Sequence, residues 1–234
     1  MKKIKFPKWL KWLSTLLGII LLAVALWLSH TYQAESDAQH YLTQSSVTTL
    51  ANGDIQLTPD KPNQSGLIFY PGAQVDPVAY LPLLEPLRQQ GVTIIIVKMP
   101  LNLAVLDGNA ALRYINSANH SNIANWFIGG HSMGGAMASQ FASEHTDLVH
   151  GLILLGAYPY KNYPANKTLI VYGDLNTSVA KKVQQSENVH VLTGGNHAQF
   201  GAYGKQFGDA EATLSAEQQR QQTADLIIAF MQSY

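Results

Sequence analysis

Six short apolar runs alternate with stretches that can be helical, and this alternation limits the folds open to the 234-residue chain. Each run is rich in β-branched residues and apolar on both faces, as buried parallel strands are. The runs are GLIFYPG (66–72), TIIIVKMP (93–100), NWFIGG (125–130), GLILLGAYP (151–159), TLIVYG (168–173) and VHVLTGG (189–195). Strands alternating with helices predict βαβ units in a mostly parallel, doubly wound sheet, with helices on both faces.

The segments between these runs predict the helices of the same α/β domain, which we assign to residues 46–234. The predicted helices are 77–90, 107–117, 134–144, 178–187 and 215–232. Ahead of the first run, SVTTLANGDIQL carries an Asn52-Gly53 turn between two β-leaning runs, which predicts a hairpin. In such a sheet we expect the functional loops beyond the carboxyl ends of the strands.

The first 45 residues have a different composition, and we divide them into three parts. Residues 1–11 are basic, residues 9–28 are apolar and flanked by tryptophans, and residues 29–45 are polar. An apolar run of nearly 20 residues after a lysine cluster predicts a single transmembrane anchor with its basic end in the cytoplasm. The expected partner is the lipid bilayer, with 29–45 as a stalk and the domain outside the cytoplasm. A cleaved signal peptide is the alternative, although LSHTYQAES offers no clean small-x-small cleavage site.

Composition excludes several classes of function. Fifteen basic and fifteen acidic residues balance, so there is no global basic field of the kind that nucleic acids require. The chain has no cysteine, which excludes disulfides, thiolate metal sites and a cysteine nucleophile.

Gly130-His131-Ser132-Met133-Gly134 follows the run NWFI and contains the G-x-S-x-G pattern of a nucleophile elbow. The glycines two residues before and after the serine permit a turn in which larger side chains would collide. A strand precedes the pattern and a helical segment follows it, as an elbow requires. Ser132 is therefore the candidate nucleophile, and a plain Gly/Ser loop is the alternative.

Acyl transfer also needs two N–H donors for the oxyanion. One would be the N–H of Met133, directly after the nucleophile. The other usually comes from a loop after an earlier strand, and FYPGAQVDP turns sharply at Pro71-Gly72. The N–H of Ala73 is the candidate there and that of Gln74 the second choice, while an ordinary Pro-Gly turn is the alternative.

His197 lies in the glycine-flanked loop VLTGGNHAQFG after the last run, where it can reach a serine on a central strand. It is the candidate general base. The other histidines lack that setting, and the elbow would point His131 away from the serine.

The acid of the triad should follow the run TLIVYG, and Asp174 is the only carboxylate in that loop. The alternative for Asp174 is a turn or capping role.

With these residues in place the chain resembles the α/β-hydrolase superfamily, in particular its small, lidless, dienelactone-hydrolase-like bacterial members. The resemblance covers residues 66–234 and rests on FYPGAQVDPVAY, GGHSMGG, GLILLGAYP, VYGDLN and GGNHAQFGAYGKQFGD. It implies hydrolysis of an ester or related acyl bond through an acyl-serine intermediate, with a small-molecule acyl substrate and without metal or organic cofactor.

One residue departs from the family pattern, which has Asp three residues after the glycine that ends the strand. This chain has Asn176 there, while Asp174 lies two residues earlier. Asn holds an imidazole ring but does not offset a positive imidazolium. Either Asp174 takes the role, as we expect, or the triad is weak, or activity is lost. A serine hydrolase is therefore the leading function, with an acyltransferase or a catalytically impaired surface binding module as alternatives.

Overall fold

The computed structural model describes residues 8–184 and 187–234. The chain divides into two compact units, one up to Thr31 and the other Tyr32–Tyr234. The first unit is represented by the helix α1 (Lys8–Ser29). The second holds all the other elements, and the candidate site lies within it.

The second unit alternates strands and helices. Its strands are β1 (Val47–Thr49), β2 (Ile55–Leu57), β3 (Ser65–Tyr70), β4 (Thr93–Ile96), β5 (Asn125–His131), β6 (Gly151–Leu155), β7 (Thr168–Gly173) and β8 (Val189–Leu192). Its α-helices are α2 (Ser36–His40), α3 (Leu81–Gln89), α4 (Leu112–Ile115), α5 (Met133–Glu144), α6 (Thr177–Ala180) and α7 (Ala216–Met231). Each of the six apolar runs contains one strand, as predicted.

The described strands form one sheet in the order β1-β2-β4-β3-β5-β6-β7-β8. The pairs from β4 to β8 are parallel, and β1 and β2 are antiparallel to each other, as β2 is to β4. The predicted hairpin at Asn52-Gly53 and the mostly parallel sheet are confirmed. The central strands β3 and β5 lie side by side, so the loops that leave their carboxyl ends begin as neighbours.

The two faces of the sheet bury different halves of each strand. In β6, Ile153 and Leu155 pack in the cluster that contains α3 and α7, while Leu152 and Leu154 pack with α5 on the other face. All four side chains are completely buried. Burial of each such side chain contributes about 1.5–3 kcal/mol, so a sheet covered on both faces is the stable arrangement.

Three of the predicted helices are shorter or more divided in the structure. In the segment 178–187, the described residues form only the short helix α6, which ends at Ala180. The segment 77–90 forms a 3₁₀ turn, Pro77–Tyr80, followed by α3. Asp76 caps that turn by accepting from the N–H of Val78. Pro82 lies in the first turn of α3, where the N–H that proline lacks would have no partner within the helix. The segment 107–117 forms only the single turn of α4.

The predicted transmembrane anchor at 9–28 is wrong. The segment is helical as α1, but among the described residues no helix combines the length and apolarity needed to cross a bilayer. Lys8 and Lys11 lie in the first turn of α1, and polar Ser14 and Thr15 interrupt the apolar sequence that follows. The apolar part therefore falls short of the roughly 20 residues required. The extracytoplasmic membrane location and the bilayer partner depended on this span and are corrected with it.

The segment 29–45, which we expect to be a polar stalk, contains α2 and buried residues of the second unit. Ala38 is completely buried, and Tyr32 forms a bridge to Val75. The N–H of Glu35 donates to the carbonyl of Ala202 at 2.8 Å. Residues 32–38 therefore pack against the loops that follow β3 and β8. The basic residues before Lys8 lie outside the described residues.

The first turn of α5 lies directly against the carboxyl end of β3. A Cβ on Gly134 would overlap the carbonyl oxygens of Tyr70 and Pro71, and one on Gly130 would lie 2.5 Å from the carbonyl carbon of Gly134. The backbones of β3, β5 and α5 thus approach each other more closely than any side chain permits. This approach places the loop after β3 beside the start of α5.

Gly134→Ala is expected to lower the free energy of unfolding by about 3 kcal/mol or more, because backbone atoms have no alternative rotamer to adopt. Urea denaturation followed by circular dichroism measures the loss. Gly108→Ala is the matched control: no atom lies within 4 Å of its added Cβ, so a change within about 0.5 kcal/mol is expected. Equal effects of the two substitutions would contradict the close approach.

Candidate active site

Ser132 lies in the turn between β5 and α5 and has a backbone conformation that is unusual for serine. Its φ is 54° and its ψ is −122°, and its N–H donates to the carbonyl of Leu155 at 3.0 Å. Strained residues of this kind persist where the surroundings hold them, and they occur often at active sites. The turn leaves Ser132 partly exposed at the N-terminus of α5, whereas the adjacent His131 is buried.

A cavity of about 860 Å³ opens over this serine. Ser132, Met133, Asn176, His197 and Asp209 all line it, so the candidate nucleophile and the candidate base share one space. Between β6 and β7 the chain forms only a 3₁₀ turn, Ala165–Lys167, and no helical lid covers the cavity at that point. Among the described residues, no hydrogen bond joins Ser132 to His197; such contacts often tighten only when substrate binds.

His197 follows β8, in a partly buried position at the edge of the cavity. Burial lowers the pKa of its imidazole below the ordinary value of 6.5, and the carboxylate of Asp209 acts in the opposite direction. A ring that is neutral at pH 7 is able to accept a proton from a serine hydroxyl. Gly156 leaves room for the ring, because a Cβ there would lie 2.9 Å from His197 Nδ1.

Asn176 is the side chain at the Nδ1 edge of that ring. Its Nδ2 lies 2.7 Å from His197 Nδ1, and its Oδ1 accepts from the hydroxyl of Ser178 at 2.9 Å. An amide nitrogen only donates, so in this arrangement the ring carries its proton on Nε2. If His197 is to receive the proton of Ser132 at Nε2, its own proton must lie on Nδ1. The side-chain amide of Asn176 must then be turned by 180°, so that Oδ1 accepts from Nδ1–H. Because the hydroxyl of Ser178 both donates and accepts, it satisfies the amide in either orientation.

Asp174, the expected partner of His197, lies elsewhere. Its Oδ1 accepts from the N–H of Gly194 at 2.8 Å and so fastens the turn that precedes the His197 loop. The expectation that this residue contacts the ring is corrected by the geometry. After β7 the chain turns so that the third residue past Gly173, Asn176, reaches the ring and the first does not. A capping role for Asp174 was the alternative that the sequence left open.

The two expected oxyanion donors lie on adjoining backbones. In the loop after β3, the N–H of Gly72 donates to Tyr80 and that of Gln74 donates to the carbonyl of Asn102 at 2.8 Å. Between them, the N–H of Ala73 makes no hydrogen bond to any residue that the structure describes, and the same holds for Met133. Gln74 has a φ of 59°, which adds a second strained position to this region. Of the two candidates in the loop, Ala73 rather than Gln74 has a free donor.

Tyr80 and His131 form a buried hydrogen-bonded chain behind the site. The N–H of Gly72 donates to Tyr80 Oη at 2.9 Å, and that oxygen lies 2.8 Å from His131 Nδ1. His131 Nε2 lies 3.0 Å from the carbonyl oxygen of His197. A carbonyl only accepts, so His131 carries its proton on Nε2 and Tyr80 donates to Nδ1. Burial lowers the pKa of His131 well below 6.5, which keeps this tautomer neutral.

Asp209 also contacts the His197 loop, from twelve residues further along the chain. Its carboxylate accepts from the N–H groups of His197 at 3.2 Å and Ala198 at 2.7 Å. Sequence reasoning missed this residue because it searched for an acid only between the serine and the histidine. It also missed Tyr80, for which the sequence carries no signal, and it treated His131 only as a residue that points away from the serine.

Comparisons with known proteins agree with this fold. Residues 66–221 match the model of the Alpha/beta hydrolase family. Among curated protein sequences, none matches the chain. Est1E from Butyrivibrio proteoclasticus is similar in structure, with 15% identity, a TM-score of 0.53, and coverage of 80% of this chain and 100% of its own.

Two further solved structures show the same likeness. A dienelactone hydrolase from Anabaena variabilis is 13% identical with a TM-score of 0.52, covering 82% of this chain and 98% of its own. A thermostable carboxyl esterase from Bacillus coagulans is also 13% identical, with a TM-score of 0.51 and coverage of 81% and 98%. At these identities the likeness establishes the fold.

Tyr80→Phe is expected to lower the free energy of unfolding by about 2–4 kcal/mol, because two buried groups, Gly72 N–H and His131 Nδ1, lose their partner together. Urea denaturation at pH 7 measures the loss. Tyr163→Phe removes a hydroxyl with one partner, the carbonyl of Val149, and should cost about 1 kcal/mol. If Tyr80→Phe costs no more than this control, Tyr80 does not join the two loops.

Proposed function

Because the chain belongs to the Alpha/beta hydrolase family, we propose that it is a serine hydrolase that cleaves an ester or related acyl bond through an acyl-serine intermediate. Ser132 is the nucleophile and His197 the general base. The N–H groups of Ala73 and Met133 form the oxyanion hole, and Asn176 orients the imidazole.

In the first half of the reaction, Ser132 Oγ attacks the carbonyl carbon of the ester while its proton passes to His197 Nε2. The carbonyl oxygen becomes negative and accepts hydrogen bonds from the two N–H donors. With its amide turned by 180°, Asn176 accepts through Oδ1 from Nδ1–H, which leaves Nε2 free to receive the proton. The tetrahedral species then expels the alcohol, which takes the proton from Nε2, and the acyl group remains on Ser132.

In the second half, a water molecule attacks the acyl carbon and gives a proton to His197 Nε2. Collapse of the second tetrahedral species breaks the bond to Ser132 Oγ. The oxygen recovers its proton from Nε2, and the carboxylic acid leaves. His197 therefore accepts one proton and returns one proton in each half of the reaction.

One observation carries the proposal: a strained serine at a strand-to-helix turn shares its cavity with a partly buried imidazole whose pKa is lowered by burial. Two N–H groups without partners among the described residues lie on backbones that adjoin the serine, and they support acyl chemistry in particular. Est1E, the dienelactone hydrolase and the carboxyl esterase share the fold at low identity, which makes an ester the first substrate class to test.

The cavity indicates the kind of ester. Tyr158, Tyr160 and Phe207 contribute aromatic walls, and Phe207 is 98% exposed at the rim. No helix between β6 and β7 closes over the serine. We therefore propose small, weakly charged or uncharged acyl substrates that enter from solvent, rather than long acyl chains that need a deep tunnel.

A catalytically impaired domain that binds a ligand in the same cavity is the second candidate function. Asn176 is the observation that favours it, because an amide does not neutralise the imidazolium that forms when His197 takes the proton of Ser132. In that case the serine would be unreactive although the cavity is intact.

Wild-type protein, as the full chain, is expected to react with a fluorophosphonate probe at Ser132 and to hydrolyse 4-nitrophenyl acetate, because the imidazole activates the hydroxyl. Gel fluorescence, tryptic mass spectrometry and absorbance at 400 nm measure these reactions. Ser132→Ala should abolish labelling and lower kcat by at least about 10³-fold. His197→Gln is the matched variant that keeps Ser132 and should also lose labelling. A folded wild type that neither labels nor turns over would establish the impaired domain instead.

Asn176→Asp is expected to raise kcat/KM for 4-nitrophenyl acetate by about 10-fold or more, below the roughly 10⁴-fold that the reverse change costs in a serine protease triad. A carboxylate accepts from Nδ1–H in either orientation and stabilises the imidazolium. Asp174→Asn is the control, since its amide oxygen still accepts from Gly194 N–H, and it should stay within about 3-fold of wild type. If Asp174→Asn causes the larger change, the acid is Asp174 after all.

A further inference from the structure

The loop that carries His197 is held by a carboxylate that lines the catalytic cavity. Asp209 accepts three backbone N–H groups: His197 at 3.2 Å, Ala198 at 2.7 Å and Ala210 at 2.9 Å. An ionised carboxylate only accepts, and it suits three donors that point at one group. Asp209 is therefore fixed beside the backbone of the candidate base.

The proposed mechanism needs a negative charge that the Asn176 position does not supply. When His197 takes the proton of Ser132, its ring becomes positive in a partly buried site. In the usual serine triad the carboxylate at Nδ1 stabilises that charge. Here Asn176 provides a hydrogen bond and no charge, so the imidazolium depends on carboxylates elsewhere in its surroundings.

Among the charged groups that the structure describes near this ring, Asp209 is the carboxylate that accepts from the backbone N–H of His197 and lines the same cavity. His131 packs against the ring with centroids 4.6 Å apart, but burial keeps it neutral. Asp174 has its carboxylate on Gly194 N–H, and Lys205 and Glu211 form an exposed pair with each other. The Asp209 carboxylate favours the protonated form of His197 and so raises its pKa against the effect of burial.

From these contacts we infer that Asp209 is a positioning residue that replaces the missing triad carboxylate, holding the His197 loop and stabilising the imidazolium through space. This inference rests on the proposed function and adds the source of the negative charge. It divides the role of one triad acid between two residues. Asn176 supplies the hydrogen bond at Nδ1, and Asp209, which accepts from the backbone N–H of His197, supplies the charge.

The main test is Asp209→Asn. Loss of the charge should lower kcat/KM for 4-nitrophenyl acetate by about 10–100-fold at pH 7. It should also lower the pKa of His197, because a field that favours the protonated ring has been removed. Activity requires the neutral ring, so the acidic limb of the pH profile moves to lower pH while the plateau falls. A purely structural role lowers the plateau without that shift.

A second background makes the test specific. In Asn176→Asp the ring has its own carboxylate, so adding Asp209→Asn should cost less than 10-fold, markedly less than in the wild-type background. Asp209→Glu keeps the charge while changing its hydrogen bonds, and it should keep the acidic limb near its wild-type position. Equal losses in both backgrounds, or an acidic limb that Asp209→Asn does not move, would overturn the inference.

Glu211→Gln is the matched control, because Glu211 is an exposed carboxylate of the same loop that pairs with Lys205 and not with the His197 loop. It should leave both the plateau and the acidic limb unchanged. NMR titration of His197 in wild type, Asp209→Asn and Glu211→Gln measures the same pKa without turnover. Failure of the proposed function would therefore show as an inactive wild type, while the titration still decides the role of Asp209.

Discussion

The hydrogen-bonded chain from Gly72 through Tyr80 and His131 to His197 connects the parts of the site that must stay in register. Gly72 precedes the proposed oxyanion donor Ala73, His131 precedes Ser132, and the chain ends at the backbone carbonyl of His197. Each bond has a defined direction, because both ends are set by groups that only donate or only accept. Tyr80 and His131 are both buried, so exchange with water does not compete for these bonds.

The same chain explains why a histidine suits the position before the nucleophile. The elbow directs its side chain beneath the site, where a neutral imidazole both accepts from Tyr80 and donates to the carbonyl of His197. An aliphatic residue would fill the space but leave the hydroxyl proton of Tyr80 without its acceptor and the carbonyl of His197 without its donor. The close approach of Gly134 to the end of β3 adds the second constraint, because it brings the loop after β3 to the start of α5.

Charge in this site is arranged differently from the pattern that the family resemblance implied. The residue at Nδ1 of His197 is an amide. The carboxylate of Asp174 accepts from the N–H of Gly194, and that of Asp209 accepts from the N–H groups of His197 and Ala198. An amide that bonds to a neighbouring hydroxyl in two orientations permits both tautomers of the ring. The Asn176 side chain therefore does not by itself decide which nitrogen of the His197 ring carries the proton.

Local sequence determined the strands, the hairpin, the glycines of the elbow and the order in which the candidate site residues follow their strands. These features depend on residue periodicity and on steric rules that act within a few residues.

Tertiary structure decided which residue contacts the His197 ring, because Asp174 and Asn176 share one loop and differ only in the direction that its turn gives their side chains. It also decided the place of Asp209, which contacts His197 from twelve residues further along the chain, and of Tyr80, which lies on another element. For α1 the local rule identified a helix correctly but not a membrane span, since a span depends on an uninterrupted apolar length that lysines and polar residues shorten. Contacts between loops that are distant in sequence produce no periodic pattern in the sequence. For this reason the fold could be predicted, but the residues that contact His197 could not.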